Sequence, residues 1–176
     1  MISTRQGLVH YYYGDGKGKT SAALGVAMRH LGYGLPVFII QFLKSKPSGE
    51  VAFLAAHPSV TLLRGKVGDA LASRLYEADR AATRAMQDDF LRQAIAAAPT
   101  TSLLVLDEVA DAARLELIDT KQLFQFLHQK PHHLEIVMTG HFPSEEFLHI
   151  ADYVSETRKI KHPFDSGISA REGIEY

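Results

Sequence analysis

The sequence predicts a single α/β domain in which a mostly parallel sheet carries helices on both faces. Short runs of β-branched and aromatic residues alternate with longer segments of helical period, which is the pattern of a parallel sheet. Two of the runs, 36–42 and 102–106, are apolar almost throughout, as expected for strands that are covered on both sides. A length of 176 residues with 46% hydrophobic residues fits one domain with its own core.

The first third of the chain predicts a strand, a helix and a second strand. Residues 8–13 are dense in β-branched and aromatic side chains, which favour a strand. A helical period follows over 19–31, and Gly32 and Gly34 end this helix. Its apolar face consists of Ala23, Leu24, Ala27 and Leu31. The second strand, 36–42, belongs inside the sheet because neither of its faces is polar.

The middle of the chain predicts a loop, a short strand and a long helix. Residues 44–50 contain Pro47 and Gly49 and are expected to form a loop. A short strand is predicted at 60–63. The helix is expected to cover 70–98 and to end at Pro99. Its predicted apolar face is Leu71, Leu75, Ala78, Ala82, Met86 and Phe90.

The last third predicts two more strands and a polar terminal segment. The strands are expected at 102–106 and 134–138. Between them, Asp119 and Gln122 have the spacing of a capping box at a helix start. Residues 151–176 show little periodicity and follow the last predicted unit of the sheet. We expect this segment to lie across the strand ends of the single domain 1–176.

A glycine-rich turn connects the first strand to the first helix. It consists of Gly14, Asp15, Gly16, Lys17, Gly18, Lys19 and Thr20, with Ser21 behind it. Strand, glycine-rich turn and helix are the parts of a phosphate-binding P-loop, in which backbone N–H groups and the positive helix end surround an anion. Lys19 would contact the phosphates and Thr20 would ligate magnesium. Tyr13 stands where the usual pattern has its first glycine, so Gly14 and Gly16 would make the turn.

Two carboxylates follow directly on the strand at 102–106. Asp107 and Glu108 would be positioned to hold magnesium and to orient water or a polar substrate atom. Acidic residues at strand ends also commonly cap the next helix, so this pattern is weak by itself. Together with the phosphate loop it favours a metal site. The residues alone therefore predict an α/β domain that binds ATP and magnesium, against the simpler interpretation of a Gly/Lys-rich surface loop.

Other polar residues predict less. Arg29, nine residues after Thr20, is most simply an exposed salt-bridging arginine. His128, His132 and His133 lie on both sides of Pro131 and cannot share a helical face, which argues against a metal site there. No Ser/His/Asp arrangement or kinase catalytic loop stands out.

Several blocks together resemble the P-loop type of ATP:corrinoid adenosyltransferases, which act on cob(I)alamin or cob(I)yrinic acid a,c-diamide. The C-terminal block KHPFDSGISAREGIEY is the most specific, because generic P-loop ATPases do not combine it with GDGKGKT. The blocks reach over nearly the whole chain: 12–25, 41–44 with 49–50, 105–109, 139–140 and 161–176.

The resemblance implies an enzyme that transfers the 5′-deoxyadenosyl group of ATP to the reduced cobalt of a corrinoid, its co-substrate, with release of triphosphate. The phosphate loop would then hold a leaving group, and the catalytic residues would be Lys19, Thr20 and Glu108. Thr20, Glu108 and Asp107 would contact Mg²⁺ or Mn²⁺. Arg29 would contact a phosphate, Gln41 and Lys44 would face the ligand, and the protein would be a homodimer.

The sequence also differs from the family pattern. Family members commonly have Thr in place of Tyr13 and Arg in place of His141. Many carry a Phe and a Trp, which crowd the lower face of the corrinoid, in the region that corresponds to 65–74, and both are absent here. The type of corrinoid therefore stays open. The alternatives are an ordinary P-loop ATPase or kinase, and a non-catalytic protein that binds nucleotide or corrinoid.

Overall fold

The computed structural model describes residues 6–68 and 71–176 and contains one six-stranded sheet in which every strand pair is parallel. The strand order is β3-β2-β4-β5-β1-β6. This arrangement confirms the predicted single-domain α/β fold of the P-loop NTPase type. The strands are β1 (Val9–Tyr13), β2 (Val37–Phe42), β3 (Val60–Gly65), β4 (Leu103–Asp107), β5 (Glu135–Gly140) and β6 (Tyr153–Glu156).

Within the described residues, six α-helices connect and cover the strands. They are α1 (Lys19–Gly32), α2 (Gly49–Ala55), α3 (Glu77–Ala97), α4 (Val109–Arg114), α5 (Thr120–His128) and α6 (Glu145–Ile150). Three short 3₁₀ turns occur at Ala72–Arg74, Ala98–Thr100 and Pro163–Ser166. In the part of the chain that the structure describes, no helix combines the length and the apolar character that crossing a membrane requires.

The core has two layers, one on each face of the sheet. In β2, Val37 and Ile39 point into the layer under α1, whereas Phe38 and Ile40 point into the opposite layer. All six β2 residues are buried, which confirms the prediction of a strand covered on both sides. The predicted face of α1 is confirmed as well, because Ala23, Leu24 and Ala27 are buried against the sheet and Leu31 packs beside them.

The strand order brings the ends of β1, β2, β4 and β5 to one edge. The chain leaves β1, crosses beneath β5 and β4 along α1, and enters β2 on the far side. In the register, Tyr13 lies opposite Gly140, and Gln41 lies opposite Asp107. The carboxyl ends of parallel strands, where the direction of winding changes, form the crevice in which α/β proteins bind ligands.

The predicted loop at 44–50 is wrong at its end, because α2 begins at Gly49. This helix has seven residues and buries only Leu54, which packs with Val37 and Ile39. One apolar contact in two turns gives no periodic pattern, so the sequence offers little signal for this helix.

The predicted helix at 70–98 is wrong in its start and in most of its apolar face, although Phe90 does pack against the core. It begins at Glu77, and Ala70 lies outside the described residues. The buried positions are Thr83, Gln87, Leu91 and Ala94, whereas Leu71, Ala78 and Ala82 are exposed. The reason is a pair of hydrogen bonds between α3 and the chain that ends β3. The Thr83 hydroxyl accepts from the Val67 N–H at 2.9 Å and the Gln87 amide donates to the Gly65 carbonyl at 3.4 Å, which turns this face toward the end of β3.

The helix start predicted at Asp119 is confirmed. The Asp119 carboxylate accepts from the Gln122 N–H at 3.0 Å and caps α5. The reciprocal bond of a capping box comes from another helix, since the Asp119 N–H donates to Asp88 of α3 at 2.6 Å.

Strand β6 was not predicted within 151–176. It pairs with β1, with Tyr153 opposite His10, and its four residues are all exposed. An exposed four-residue edge strand has no apolar alternation by which the sequence could reveal it.

Candidate functional site

The phosphate loop has the backbone shape that its glycines predict. Gly14 and Gly18 adopt φ angles of +119° and +110°, a region that favours glycine. The loop also lies against the chain that follows β6, where the Gly16 N–H donates to the Thr157 carbonyl at 2.9 Å. A methyl group on Gly14 would collide with the same carbonyl oxygen. Tyr13 is the last residue of β1, so the turn starts at Gly14 and needs no glycine earlier.

The Lys19 side chain folds back over the phosphate loop. The Lys19 ammonium donates to the carbonyls of Gly14 and Gly16 at 2.6 and 2.8 Å. Burial lowers the pKa of Lys19, and the nearby carboxylates of Asp111 and Glu108 partly offset this effect. Since Gly18 provides no side-chain cap to α1, the first-turn N–H groups of this 14-residue helix point into the same space. The loop therefore presents N–H groups and the Lys19 ammonium to an anion.

The end of β4 contains a buried carboxylate with a full set of partners. Asp107 has no exposed surface. One of its oxygens accepts hydrogen bonds from the hydroxyls of Thr20 at 2.9 Å and Thr139 at 2.8 Å. The other accepts from Lys44 at 2.6 Å and from the Gln41 amide at 3.4 Å. Burial of a charge requires such pairing, and these contacts join the start of α1 to the ends of β2, β4 and β5.

Two residues at the strand ends adopt the left-handed backbone conformation. Leu43 follows β2 and Glu108 follows β4, each with a φ of 62°. Non-glycine residues adopt this conformation at a cost of about 1–3 kcal/mol, and such residues cluster at functional sites. The Glu108 N–H donates to the Thr139 hydroxyl at 2.7 Å, which holds the turn. Burial raises the pKa of Glu108, while Lys44 acts in the opposite direction.

The side-chain oxygen atoms of Thr20, Asp107 and Glu108 surround the Lys44 ammonium. The Lys44 ammonium lies 3.0 Å from the Thr20 hydroxyl, 2.6 Å from Asp107 and 3.5 Å from Glu108. Burial lowers the pKa of Lys44, but Asp107 and Glu108 outweigh it and the net pKa is raised. In addition, the side-chain amide oxygen of Gln41 is buried and has no hydrogen-bond partner among the residues that the structure describes. A hydroxyl, two carboxylates and a spare amide oxygen are hard donors that fit Mg²⁺.

Over residues 6–68 and 71–176, no group of three or more His, Cys, Asp or Glu side chains is arranged to hold a metal ion. Magnesium sites for nucleotides usually combine one or two protein carboxylates with phosphate oxygens and water. The donor set at Thr20, Asp107 and Glu108 matches that usual composition.

The structure brings together most of the site residues predicted from the sequence. Lys19, Thr20, Lys44 and Glu108 line one cavity of about 780 Å³, and Gln41 and Asp107 lie buried beneath it. The exposed loop residues Asp15 and Lys17 also line it but contact the C-terminal segment. The remaining lining residues are Gly16, Gly18, Ser21, Leu24, Gly25, Met28, Gly49, Glu50, His141, His162, Gly173, Ile174, Glu175 and Tyr176.

Arg29 lies apart from this group. It is exposed on α1 and does not line the cavity. Nine residues of helix separate it from Thr20, which is about 14 Å along the helix axis. A phosphate contact by Arg29 stays a prediction that rests on the family resemblance alone.

Several residues at the cavity were not predicted as site residues. Thr139, at the end of β5, supports Asp107 and Glu108. Asp111 accepts from both the backbone N–H of His141 and its ring nitrogen, each at 2.9 Å. The hydrogen bond to Asp111 raises the pKa of His141, although burial opposes it. Thr139 follows a predicted strand and could have been found by the rule that placed Asp107, whereas the Asp111–His141 pair spans 30 residues without a local signal.

A family model and several named relatives match this chain, and they carry the same description. The family model for ATP:corrinoid adenosyltransferase BtuR/CobO/CobP matches residues 5–176. A protein named corrinoid adenosyltransferase from Sinorhizobium sp is 33% identical over 97% of this chain and 81% of its own length. Corrinoid adenosyltransferase CobA from Salmonella typhimurium is 34% identical over 97% of this chain and 86% of its own. Corrinoid adenosyltransferase from Escherichia coli K12 is 33% identical over the same shares.

Proposed function

The chain belongs to the ATP:corrinoid adenosyltransferase family, and from that premise we propose which of its residues perform each part of the reaction. It is a transferase that uses ATP to adenosylate a corrinoid. One observation carries the proposal. Thr20, Lys44 and Glu108 meet at the buried Asp107, directly beside the phosphate loop and Lys19. The residues for a triphosphate and a cation therefore share one cavity.

We assign the triphosphate of ATP to the phosphate loop. In the transfer, the cobalt of the corrinoid forms a bond to the 5′ carbon of ATP while the bond from that carbon to the triphosphate oxygen breaks. Negative charge grows on the departing oxygen, and the loop N–H groups with Lys19 stabilise it. The nucleophile is a metal centre without a proton to lose, so the reaction needs no general base. The site residues fit this requirement, since they supply cations and donors.

Thr20, Asp107 and Glu108 would hold Mg²⁺ or Mn²⁺ together with phosphate oxygens. The ion would supply neutralisation of the triphosphate charge. Lys44 contacts the same oxygens of Thr20 and Asp107, so it would turn toward the phosphate oxygens when the ion binds. We also propose Arg29 as a phosphate contact. For this contact, the bound nucleotide would have to extend along α1.

The acceptor and the assembly are also proposals. Residues 65–74, of which 69–70 lie outside the described part, contain no Phe or Trp to crowd the lower face of a corrinoid. We propose that the cavity accepts a corrinoid whose lower ligand is easily lost on reduction to Co(I), such as cobyrinic acid a,c-diamide. The resemblance implies a homodimer, and we propose separately that the protein is cytoplasmic. Light scattering would test the homodimer, with an expected mass of twice the 19.5 kDa chain.

Product analysis is the decisive test of the function. The protein is incubated with ATP, Mg²⁺, a corrinoid and a strong reductant, and the visible spectrum is followed while phosphate products are separated. We expect the cob(I) spectrum to change to that of an adenosylated product, with one triphosphate released per corrinoid.

Other outcomes would contradict this function in different ways. ADP and phosphate as products would identify an ordinary ATPase or kinase. Tight binding of ATP and corrinoid without turnover under reducing conditions would identify a carrier. Parallel reactions with both cob(I)alamin and cob(I)yrinic acid a,c-diamide would separate the choice of acceptor from the activity itself.

A further inference from the structure

The C-terminal segment 159–176 is attached to the domain through the phosphate loop. The Lys159 N–H donates to the Asp15 carboxylate at 2.9 Å. The Lys17 ammonium donates to the Glu175 carboxylate at 2.7 Å and to the Ile174 carbonyl at 3.3 Å. Among the described residues, the hydrogen bonds and ion pairs that tie 159–176 to the rest of the chain all end on Asp15 or Lys17.

Apolar burial does not hold this segment in place. No residue of 159–176 is classed as buried, and large side chains such as Ile160 and Phe164 are 91% and 71% exposed. Elements with few buried contacts are the ones that open most easily. The position of the segment therefore depends on its few polar contacts with the loop.

Glu175 is the centre of those contacts. One of its oxygens binds the Lys17 ammonium. Its carboxylate also accepts from the backbone N–H of Arg171 at 2.9 Å and from the Arg171 guanidinium at 3.1 Å. The Glu175 side chain is 19% exposed although most of the segment is open to solvent. Arg171 therefore holds the Glu175 carboxylate in position within the segment, and this carboxylate in turn orients the Lys17 ammonium.

The residues around this contact also line the nucleotide cavity. His162 and residues 173–176 line the same cavity as residues 15–20 of the phosphate loop. An ammonium has three N–H donors. Lys17 uses two of them on Glu175 and Ile174, so the third can donate to a phosphate oxygen while the segment stays in place.

We propose that Glu175 is a positioning residue that fastens the C-terminal segment over bound nucleotide and aims Lys17 at the triphosphate. The segment then acts as a cover that must release Lys17 before nucleotide or triphosphate leaves. This inference rests on the proposed function for the identity of the ligand, but the closure itself needs only a bound nucleotide triphosphate.

The test compares Glu175→Gln with Glu172→Gln, an exposed glutamate of the same segment. We expect E175Q to raise the KM for ATP about fivefold with little change in kcat, because loss of one partner of a charge pair mainly speeds dissociation. E172Q should behave as wild type. Both variants should unfold at the wild-type temperature, since the segment buries no core residue.

Hydrogen exchange distinguishes a positioning role of Glu175 from a purely structural one. A purely structural role would not change how MgATP protects the segment from exchange. With MgATP, amides of 159–176 should exchange more slowly in the wild type and in E172Q, but not in E175Q. A second variant, Lys17→Met, should weaken ATP binding in calorimetry, and adding E175Q to it should have almost no further effect.

The proposal is overturned if E175Q and E172Q have the same KM, if MgATP protects the segment in E175Q as in wild type, or if the K17M and E175Q effects simply add. Calorimetry and exchange need MgATP only. Protection of the segment without corrinoid turnover would therefore support the cover while contradicting the proposed function.

Discussion

At the scale of single residues, the site depends on how one buried charge is neutralised. Asp107 accepts four hydrogen bonds, two from threonine hydroxyls and two from Lys44 and Gln41. In a dry environment each unpaired carboxylate oxygen would be costly, so the partners are arranged around it. Lys44 also contacts the Glu108 carboxylate, so its ammonium places a positive charge between the strand ends. The positive charge of Lys44 offsets the repulsion between the two carboxylates.

Lys19→Ala should remove activity and leave the fold intact. The Lys19 ammonium lies over the loop carbonyls of Gly14 and Gly16. Loss of such a charge from a transition state lowers kcat/KM by about a hundredfold to a thousandfold. Its two hydrogen bonds to loop carbonyls contribute only about 1 kcal/mol each to stability. The measurement is corrinoid adenosylation beside thermal unfolding, with Lys121→Ala on the surface of α5 as the control. Unchanged turnover in K19A would refute the assignment of the triphosphate to this loop.

His141 should make stability depend on pH. The hydrogen bond to Asp111 raises the pKa of His141 above its ordinary value of 6.5, so its stabilising effect is complete below that pH and is lost as the pH rises through the folded-state value. Burial raises the pKa of Asp111, but His141 outweighs it and the net pKa lies below 3.8. Between pH 3.8 and 6.5 both groups are therefore charged in the folded protein.

His141→Gln should accordingly reduce the free energy of unfolding by about 0.5–1 kcal/mol in that window, since the ring is half exposed. The difference from wild type should shrink toward high pH. Urea unfolding at several pH values measures it, and Asp111→Asn is the matched background. In D111N, His141→Gln should show no such dependence on pH. A difference that persists unchanged at high pH would contradict the ion pair.

At the scale of elements, the phosphate loop is shaped by its neighbours as much as by its own sequence. Gly14 combines a φ of +119° with a close approach of the Thr157 carbonyl. Gly14→Ala should destabilise the fold by about 1–3 kcal/mol through backbone strain, with further loss from the collision, and should abolish nucleotide binding. Gly32→Ala is the control, because Gly32 is exposed near the end of α1 with open space around it. It should be neutral or stabilise by about 0.5 kcal/mol. Equal unfolding temperatures for the two variants would contradict this account.

The elements that the sequence predicts correctly are those with a repeated apolar pattern. The buried strands β2 and β4 and the inner face of α1 each bury several residues in sequence, so the pattern is visible. Helix α2 buries one residue and β6 none, and neither was predicted. In α3, Thr83 and Gln87 lie on the buried face because they hydrogen-bond to the backbone of Val67 and Gly65. Hydrophobic periodicity predicts that such polar residues are exposed.

The same distinction holds for the candidate site. Thr20, Asp107 and Glu108 are predicted because the P-loop and a strand end are local patterns that the parallel sheet then brings to one edge. Lys17 and Glu175 are 158 positions apart, and their contact depends on where 157–176 leaves the edge strand. No local rule contains that path. The strand order, which decides it, also could not be derived from the sequence.

At the scale of the whole molecule, nucleotide binding and folding should be coupled. The cavity combines the phosphate loop, the strand ends near Lys44 and Glu108, and the C-terminal residues 173–176, so it exists only in the folded chain. A ligand that binds only the folded state stabilises it by about 2.7 kcal/mol at one hundred times its Kd. For a domain of this size such a gain raises Tm by roughly 5–10 °C.

MgATP should therefore raise the Tm of the wild type by roughly 5–10 °C and leave that of Lys19→Ala nearly unchanged. Because the loop is assigned to the phosphates, inorganic triphosphate with Mg²⁺ should give a large part of this shift, whereas adenosine should give almost none. Differential scanning calorimetry with each ligand measures all three, and K121A serves as the variant that should follow the wild type. A shift produced by adenosine alone, or an equal shift in K19A, would place the dominant binding contacts outside the loop and contradict the proposed orientation of the reaction.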